Sequence, residues 1–495
     1  MIVVDKLLEF YNRTKQYETP VQIIVGTRCP KVINLRDSVT QTPGCKGSQT
    51  DRYKDFRIKK KQICATNLEK FRICGIIFTY YTRKEATDMY IKRERYLEKI
   101  RPFYDADLIK VLTGVRRCGK SVLLEQIEEE LRAEGYDDEH IIKVNFEDLQ
   151  FEKIRNAERL NKYITGRMSD KRKYLIFLDE IQHVRSFEKV LSSLRATTNC
   201  SIFITGSNSK LLSGKMATLL VGRCIEFRIM PFSFAESYEY CKQLGKEQAA
   251  DELFIDYINW GGMPLRFTFN REGDIKKYID QTYQGILDKD IITDRSKINR
   301  QNFEKIATYV MTNAGKEFSA KNVGSYFENL NEEQIDKKTI YRYLDKMEKA
   351  CLIDRVKRFN IVGKQAMTYV EKQYAVDTGF RMINTNLVNI EDTFFLENII
   401  YNELISRDYE VFVGKTYKGE IDFVVIDGKK KCFIQVAYYL SGQQTIEREF
   451  GAFKPISDAS PKYVLSMDRL DFSRDGISHI NIVDFLLGKK ELMLT

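Results

Sequence analysis

Residues 111–124, VLTGVRRCGKSVLL, run from an apolar segment through two glycines and a lysine into an amphipathic pattern. Gly114 and Gly119 allow the backbone to turn tightly, so that successive N–H groups point at phosphate oxygens. Lys120 supplies a cation to the β- and γ-phosphates, and the Ser121 hydroxyl is a ligand for Mg²⁺. The spacing G-x-x-x-x-G-K-S therefore predicts a P-loop that binds ATP. The predicted phosphate-binding residues are Gly114, Val115, Arg116, Arg117, Cys118, Gly119, Lys120 and Ser121.

The sequence on both sides of this loop supports the prediction. The segment 108–114, LIKVLTG, has the apolar character of a buried strand, and Leu123, Ile127 and Leu131 fall on one face of the helix that follows. A phosphate loop at the start of a helix also receives the positive end of the helix dipole. The alternative is a glycine-containing turn with an exposed lysine, which requires neither a strand before it nor a helix after it.

An acidic motif at 173–184, KYLIFLDEIQHV, supplies the groups that hydrolysis needs. The apolar residues 174–178 predict a central parallel strand that delivers Asp179 and Glu180 at its carboxyl end, where ligands bind in such sheets. Asp179 is predicted to hold Mg²⁺, and Glu180 is predicted to be the base that polarises the attacking water. The alternative is a pair of acids that merely end a strand in solvent.

Two further residues are candidates for the reaction. Asn208 follows the strand pattern CSIFIT and is predicted to hold the lytic water or sense the γ-phosphate; the alternative is that it caps the next helix. Arg223 is predicted to reach a phosphate of its own or a neighbouring subunit as an arginine finger, with a surface ion pair as the alternative. Action of Arg223 on a neighbouring subunit requires a homo-oligomer.

Composition is typical of a soluble globular protein: 495 residues, 43% of them apolar and 30% charged. No apolar run approaches the roughly 18 residues of a membrane-spanning helix, and the amino terminus lacks the pattern of a secretory signal. The ten cysteines contain no C-x-x-C pair, which argues against a zinc ribbon. We therefore expect a cytoplasmic protein with no membrane partner.

The net charge of +10 is concentrated near the amino terminus. Residues 1–88 hold 17 Lys and Arg against 9 Asp and Glu, which leaves a surplus of two for the rest of the chain. This segment shows no sustained hydrophobic period, so we expect an extension of unknown fold, either disordered or spurious, ahead of a start at Met89. A cationic arm that binds nucleic acid is the alternative.

Five motifs follow one another along the chain: GVRRCGKS, LIFLDEIQ, ITGSNSKLL, GRCIEF and GGMP. In this order the sequence resembles bacterial and archaeal ATP-binding proteins that have an AAA+-like core and a nuclease-like C-terminal domain. The resemblance covers roughly residues 89–450 and implies that Pro264, in GGMP, lies near the nucleotide. The Walker A, Walker B and sensor residues that it implies are Lys120, Ser121, Asp179, Glu180 and Asn208.

A helix pattern at 336–353, DKKTIYRYLDKMEKACLI, predicts the recognition helix of a winged helix. Asp336 is the predicted cap. The apolar face contains Ile340, Leu344, Met347 and Cys351, and the other face contains Lys338, Arg342, Lys346 and Lys349. This basic face is predicted to contact DNA. Because Asp345 and Glu348 interrupt the cations, a solvated face without DNA contact is the alternative.

The segment 419–439, GEIDFVVIDGKKKCFIQVAYY, predicts a hairpin that turns after Asp427-Gly428. A loop centred between Gly428 and Lys429 places Asp422 opposite Gln435 and Glu420 opposite Ala437. Together with Glu397 from the preceding helix pattern, this is the arrangement of PD-(D/E)xK nucleases, in which carboxylates hold Mg²⁺ and a lysine positions water. Ala437 takes the place of that lysine, which favours a noncatalytic module. Lys415 or Lys418 on the neighbouring strand leaves an active nuclease open.

These patterns predict an α/β protein with a parallel P-loop NTPase (AAA+-like) sheet, a helical lid, a winged helix and a C-terminal α/β nuclease-like domain. The predicted boundaries are 1–88 for the extension, 89–230 for the ATPase core, 231–300 for the lid, 301–370 for the winged helix and 371–495 for the nuclease-like domain. The predicted function is an ATP-binding and ATP-hydrolysing, Mg²⁺-dependent switch or motor. The alternative is an ATP-regulated, Mg²⁺-dependent DNA nuclease.

Overall fold

The computed structural model describes residues 90–495 except 207–221, 293–297, 330–334, 364 and 385–392, together with four short strands before residue 90. The chain divides into two compact units, 1–91 and 92–495. Four strands of the first unit form two antiparallel ribbons: β1 (Gln22–Val25) with β2 (Lys31–Asn34), and β3 (Lys70–Ile73) with β4 (Ile76–Thr79). The remaining elements belong to the second unit.

Five parallel strands form the first sheet of the second unit. They are β5 (Ile109–Thr113), β6 (Ile141–Asn145), β7 (Tyr174–Asp179), β8 (Cys200–Thr205) and β9 (Cys224–Arg228). Their order across the sheet is β6, β7, β8, β5, β9. The strand β8 therefore lies between β5 and β7, and the carboxyl ends of all three strands meet at one edge, where the loops that follow them can share a ligand.

Helices cover both faces of this sheet. They are α1 (Glu94–Ile100), α2 (Lys120–Ala133), α3 (Ala157–Thr165) and α4 (Phe187–Thr197). On one face, Leu112 and Phe177 pack in a core with Leu123 of α2; on the other, Val111 and Ile176 pack in a core with residues of α3 and α4. Alternate residues of each strand point to opposite faces, so a strand covered on both sides is apolar throughout, as the sequence of β7 is.

A helical region follows the last strand of this sheet, and we call it the lid. It consists of α5 (Phe234–Gln243), α6 (Ala250–Trp260), the 3₁₀ turn Pro264–Thr268, α7 (Glu272–Ile286) and the π-helical turn Leu287–Ile291. Ser233 and Glu236 form a capping box that starts α5, each accepting a hydrogen bond from the backbone N–H of the other. This capping fixes the direction in which the chain enters the lid.

Three helices and a β-hairpin come next. They are α8 (Arg300–Thr312), α9 (Ala320–Asn329), α10 (Lys337–Lys349), β10 (Ile353–Asn360) and β11 (Gln365–Ala375). Asp336 caps α10 by accepting a hydrogen bond from Thr339 N at 3.0 Å, as predicted. Cys351 does not lie on the helix face to which the periodicity assigned it, because α10 ends at Lys349 and Cys351 takes a left-handed φ of 56° beyond it.

The two hairpin strands belong to a seven-stranded sheet, whose order is β11, β10, β12, β13, β14, β15, β16. The added strands are β12 (Glu410–Lys415), β13 (Glu420–Asp427), β14 (Lys430–Val436), β15 (Lys462–Ser466) and β16 (Ile477–Asn481). The helices of this part are α11 (Thr378–Ile383), α12 (Thr393–Ser406), α13 (Gln443–Gly451) and α14 (Ile482–Leu486). Asp427 pairs with Lys430 across a two-residue turn, which confirms the predicted hairpin register.

Polar contacts join the C-terminal sheet to the lid and to the first sheet. Arg228, at the end of β9, forms an ion pair with Asp354 of β10 at 2.7 Å. The Asp377 carboxylate accepts hydrogen bonds at 2.8 Å from the N–H groups of Gly262 and Gly379. The GGMP turn is thus held by a carboxylate that lies 115 residues away in the sequence. Among the described residues, no helix has both the length and the apolar character needed to cross a bilayer.

Candidate nucleotide site and C-terminal acidic cluster

The loop after β5 has the backbone conformation that its glycines permit. Gly114 has φ of 143°, and a Cβ atom there would lie 2.2 Å from the carbonyl oxygen of Ile229. Gly119, directly before α2, has φ of 102°. These φ values lie in the region that side chains with a Cβ rarely adopt. The loop can therefore pack against the end of β9 and turn into the helix only with glycine at these two positions.

Lys120 is folded over the loop. Its side chain is buried, with 4% of the residue exposed, and Nζ donates hydrogen bonds of 3.0 Å to the carbonyl oxygens of Gly114 and Val115. The ammonium group is therefore held at the mouth of the loop by neutral acceptors, without a carboxylate partner among the described residues. Ser121 is exposed in the first turn of α2. An ammonium group with neutral partners can exchange them for phosphate oxygens, which are stronger acceptors.

The two arginines of the loop contact the lid. The Arg116 guanidinium lies 3.4 Å from carboxylate oxygens of both Asp290, in the π-helical turn, and Glu147, after β6. Arg117 has a φ of 67°, and its guanidinium lies 6.0 Å from the ring centroid of Tyr278 in α7. Contacts from the loop to two lid elements mean that a displacement of the lid changes the surroundings of the phosphate-binding backbone.

Cys118 is fully buried in the loop. Its thiol donates to the carbonyl oxygen of Ile229 at 3.3 Å, and its N–H donates to that of Val115, also at 3.3 Å. The thiol is therefore shielded from solvent, and redox chemistry at this position lacks the exposure that it needs. The N–H is engaged inside the loop, so a contact of this particular amide with phosphate requires the turn to open.

Asp179 and Glu180 end β7 at the same edge of the sheet, and a threonine that the sequence prediction missed connects them. Thr205, the last residue of β8, donates its hydroxyl proton to the Asp179 carboxylate and accepts a hydrogen bond from Glu180 N at 2.9 Å. Both acids are buried, with 5% and 7% of each residue exposed. Glu180 has a φ of 55°, and its carboxylate accepts a hydrogen bond from the Gln182 side-chain amide. The acids are thus oriented rather than free in solvent.

The other predicted site residues have different outcomes. Asn208 lies outside the described residues. Arg223 is exposed at the amino end of β9, where its carbonyl oxygen accepts a hydrogen bond of 2.9 Å from Ile109 N, at the start of β5. The P-loop follows the opposite end of β5, about 16 Å of strand away. Arg223 therefore cannot act on phosphate in its own subunit, and action on a neighbouring subunit stays a prediction.

The nuclease-like region contains a cluster of buried and partly buried charges. Three acids surround Lys372 of β11. Its Nζ lies 2.8 Å from a carboxylate oxygen of Glu397 in α12. It lies 2.5 Å from Glu420 and 4.0 Å from Asp422, both in β13. Tyr374 donates its hydroxyl proton to Glu397. Burial raises the pKa of Asp422 well above its usual value, Glu397 adds to this shift, and Lys372 opposes it.

The predicted triplet on β14 is in place, but its lysine comes from elsewhere. Asp422 N donates to Gln435 Oε1, and Val436 N donates to Asp422 Oδ2, both at 2.8 Å. Ala437 is buried with 2% exposed. Lys418 is exposed, and the cation that enters the cluster belongs to Lys372, not to either lysine that we proposed. The only sequence signal for it is that Lys372 and Tyr374 share one face of their strand.

Comparisons with known proteins agree with the sheet and its loops. A family model described as an AAA domain matches residues 106–238, and one described as a domain of unknown function (DUF8612) matches 251–391. An uncharacterized protein of Haemophilus influenzae is 33% identical over 405 residues, which cover 80% of this chain and 98% of that protein. The chain belongs to the family of this relative.

A second member of the family is the uncharacterized protein MJ1544 of Methanocaldococcus jannaschii, 31% identical over 390 residues that cover 76% of this chain and 85% of that protein. Among solved structures, the Walker-type ATPase PABY2304 of Pyrococcus abyssi matches 61% of this chain and 97% of its own, with 14% identity and a TM-score of 0.41. The AAA match covers the loop, β7 and β8, so the predicted AAA+-like P-loop fold is confirmed for this member of the family.

Proposed function

We propose that this protein binds Mg²⁺·ATP at the P-loop and hydrolyses it, and so acts as an ATP-driven switch or motor. One observation carries the proposal: the buried Lys120 ammonium and the Asp179–Glu180 pair lie at the same edge of one parallel sheet. Thr205 holds the two acids by hydrogen bonds to the Asp179 carboxylate and to the Glu180 N–H. Hydrolysis requires a phosphate cradle, a metal carboxylate and a group that orients water, and this edge offers a candidate for each.

The residues present fit the Mg²⁺ ion that this chemistry uses. Mg²⁺ prefers oxygen ligands, and the Ser121 hydroxyl and Asp179 carboxylate supply them. Thr205 occupies one Asp179 oxygen with a hydrogen bond, which fixes the orientation of the carboxylate. The ion would neutralise charge on the β- and γ-phosphates. Lys120 would add a second positive charge by exchanging the carbonyl oxygens of Gly114 and Val115 for phosphate oxygens.

Glu180 would serve as the base that takes a proton from the attacking water. In the structure its carboxylate is bound to the Gln182 amide, which it would exchange for water. Three further roles complete the proposal. Asn208 would act as a sensor, Pro264 would lie beside the nucleotide, and Arg223 would act as an arginine finger in a homo-oligomer. Pro264 starts the turn that follows Gly262, so its position depends on the same Asp377 contact that holds the lid.

Replacing Glu180 by Gln should abolish turnover while leaving binding intact. The amide keeps the shape of the side chain but cannot accept a proton, so we expect kcat for phosphate release to fall by about 100-fold or more. The Kd for Mg²⁺·ATP should stay within about threefold of wild type, because Lys120 and the loop amides are unchanged. Glu158→Gln, an exposed acid in the first turn of α3, is the control. Unchanged turnover in Glu180→Gln would refute the role of Glu180.

We also propose that DNA binds to the exposed face of α10. Asp345 and Glu348 interrupt the cations of this face. In the structure, Arg355 of β10 pairs with both acids, at 2.8 Å from Asp345 Oδ1 and 2.9 Å from Glu348 Oε2. One guanidinium offsets one of these two negative charges. The exposed residues of the helix are Lys337, Lys338, Tyr341, Arg342 and Lys349. Clustered cations beside an aromatic ring favour a phosphate backbone.

The double variant Lys338→Ala/Arg342→Ala tests the DNA contact. Each cation that neutralises a phosphate contributes about 0.9 to the slope of log K against log salt, so removing two should lower that slope by roughly 1.8. Fluorescence anisotropy with a labelled duplex, measured over a series of salt concentrations, gives the slope. The control Lys171→Ala/Lys189→Ala removes two exposed lysines from the ATPase region. Equal slopes for wild type and the α10 variant would contradict the proposal.

For the acidic cluster we propose a noncatalytic role over the nuclease alternative. The Lys372 ammonium lies where a metal ion would neutralise Glu397 and Glu420, so the residues present do not fit Mg²⁺. Among the described side chains, no group of three His, Cys, Asp or Glu is arranged to hold a metal ion. The cluster instead joins β11 to α12 through a buried ion pair whose partners are 4% and 3% exposed.

Lys372→Met should therefore destabilise the C-terminal sheet by about 3 kcal/mol, because Glu397 is left as a buried charge without its partner. The midpoint of urea unfolding measures this loss, and Lys418→Met, at an exposed lysine, should have little effect.

Wild type incubated with plasmid and linear DNA plus Mg²⁺ or Mn²⁺ should leave both kinds of DNA intact. Cleavage by wild type that disappears in Asp422→Ala would establish the nuclease alternative instead.

A further inference from the structure

We propose that Arg93 is a positioning residue that holds the phosphate-binding loop in its binding conformation and links that conformation to the lid. The inference rests on the proposed function, ATP binding at the P-loop. It concerns a residue that lies before the first sheet and outside every motif of the site. Arg93 directly precedes α1 and is buried, with 1% of the residue exposed.

The Arg93 guanidinium uses all of its N–H groups on three segments of the chain. Nη1 donates to the carbonyl oxygens of Cys118 at 3.1 Å and Met230 at 3.0 Å. Nη2 donates to the Pro231 carbonyl oxygen at 3.4 Å and to Glu236 at 2.9 Å, and Nε donates to Glu236 at 2.9 Å. A guanidinium has five such protons, so no donor is left over.

The contact with Cys118 determines the direction of the following amide. A trans peptide is planar, and its N–H points away from its C=O. Because the Cys118 carbonyl points at Arg93, the Gly119 N–H points away from Arg93. That N–H belongs to the amides at the start of α2, which have no acceptor within the helix and are the ones that bind phosphate. Without the anchor, this peptide is free to rotate, since Gly119 tolerates many φ values.

The other contacts of Arg93 extend the same anchor to α2 and the lid. The Arg93 N–H donates to Gln126 Oε1 of α2 at 3.0 Å. Met230 and Pro231 lie where the chain leaves β9, and Glu236 is in the first turn of α5, in the capping box with Ser233. One buried guanidinium therefore holds both the Cys118 peptide and the first residues of the lid. A lid that moves must move this arginine or break its contacts.

Arg93→Lys tests this role, with Arg95→Lys as the matched control. Lysine keeps the charge, but its three donors on one atom cannot replace the five hydrogen bonds of the guanidinium fork. We expect Kd and KM for Mg²⁺·ATP to rise by about tenfold or more, as for loss of one hydrogen bond to a charged group. The kcat at saturating ATP should change by less than about threefold, because bound phosphates then orient the loop. Arg95 pairs with Glu403 of α12, away from the loop, so Arg95→Lys should bind ATP as wild type does.

Calorimetric titration and steady-state turnover give Kd, KM and kcat, and unfolding midpoints identify a general loss of structure. If Arg93→Lys does not fold, Glu236→Gln carries the test, because it weakens the anchor and should raise Kd several-fold. Wild-type affinity in the folded Arg93→Lys variant overturns the inference. Equal losses in Arg93→Lys and Arg95→Lys also overturn it, since they indicate general loosening. A wild-type protein that binds no ATP overturns the proposed function, and this inference with it.

Discussion

The parallel pairing of β8 between β5 and β7 is the constraint on which the candidate site depends. It brings the loop after β5 and the acids at the end of β7 to one edge, although 60 or so residues of chain separate them. Thr205, at the end of β8, uses that position to bind Asp179 and the peptide of Glu180. Strand order therefore brings the loop and the acids to the same edge of the sheet.

Around this edge, single charged side chains connect parts of the chain that meet only in the fold. Arg93 holds the P-loop and the start of the lid, Arg228 joins the first sheet to Asp354, and Asp377 holds the GGMP turn. Burial raises the pKa of Asp377 to about 6, against the hydrogen bonds from Gly262 and Gly379 that favour its charged form. These polar contacts add to an apolar core that the lid shares with the C-terminal region, in which Trp260 and Ile279 lie with Val376 and Phe380.

Much of this arrangement could be predicted from the sequence because its determinants are local. The P-loop is set by glycines five residues apart, and Asp179 and Glu180 are set by one apolar strand. The β13–β14 register follows from a two-residue turn. Arg93, Thr205 and Lys372 could not be predicted, since each acts on partners 25 or more residues away. The pairing of Arg355 with Asp345 and Glu348 could not be predicted either, because Arg355 lies on the next strand.

The most direct test of the account is an isothermal titration of the folded chain with Mg²⁺·ATP, beside the variant Lys120→Ala. We expect one binding event for wild type. Loss of the ammonium group should weaken that binding by about 30-fold or more, because a charge-assisted contact with phosphate is removed. An absence of heat with wild type, or equal affinity for the two proteins, would contradict it.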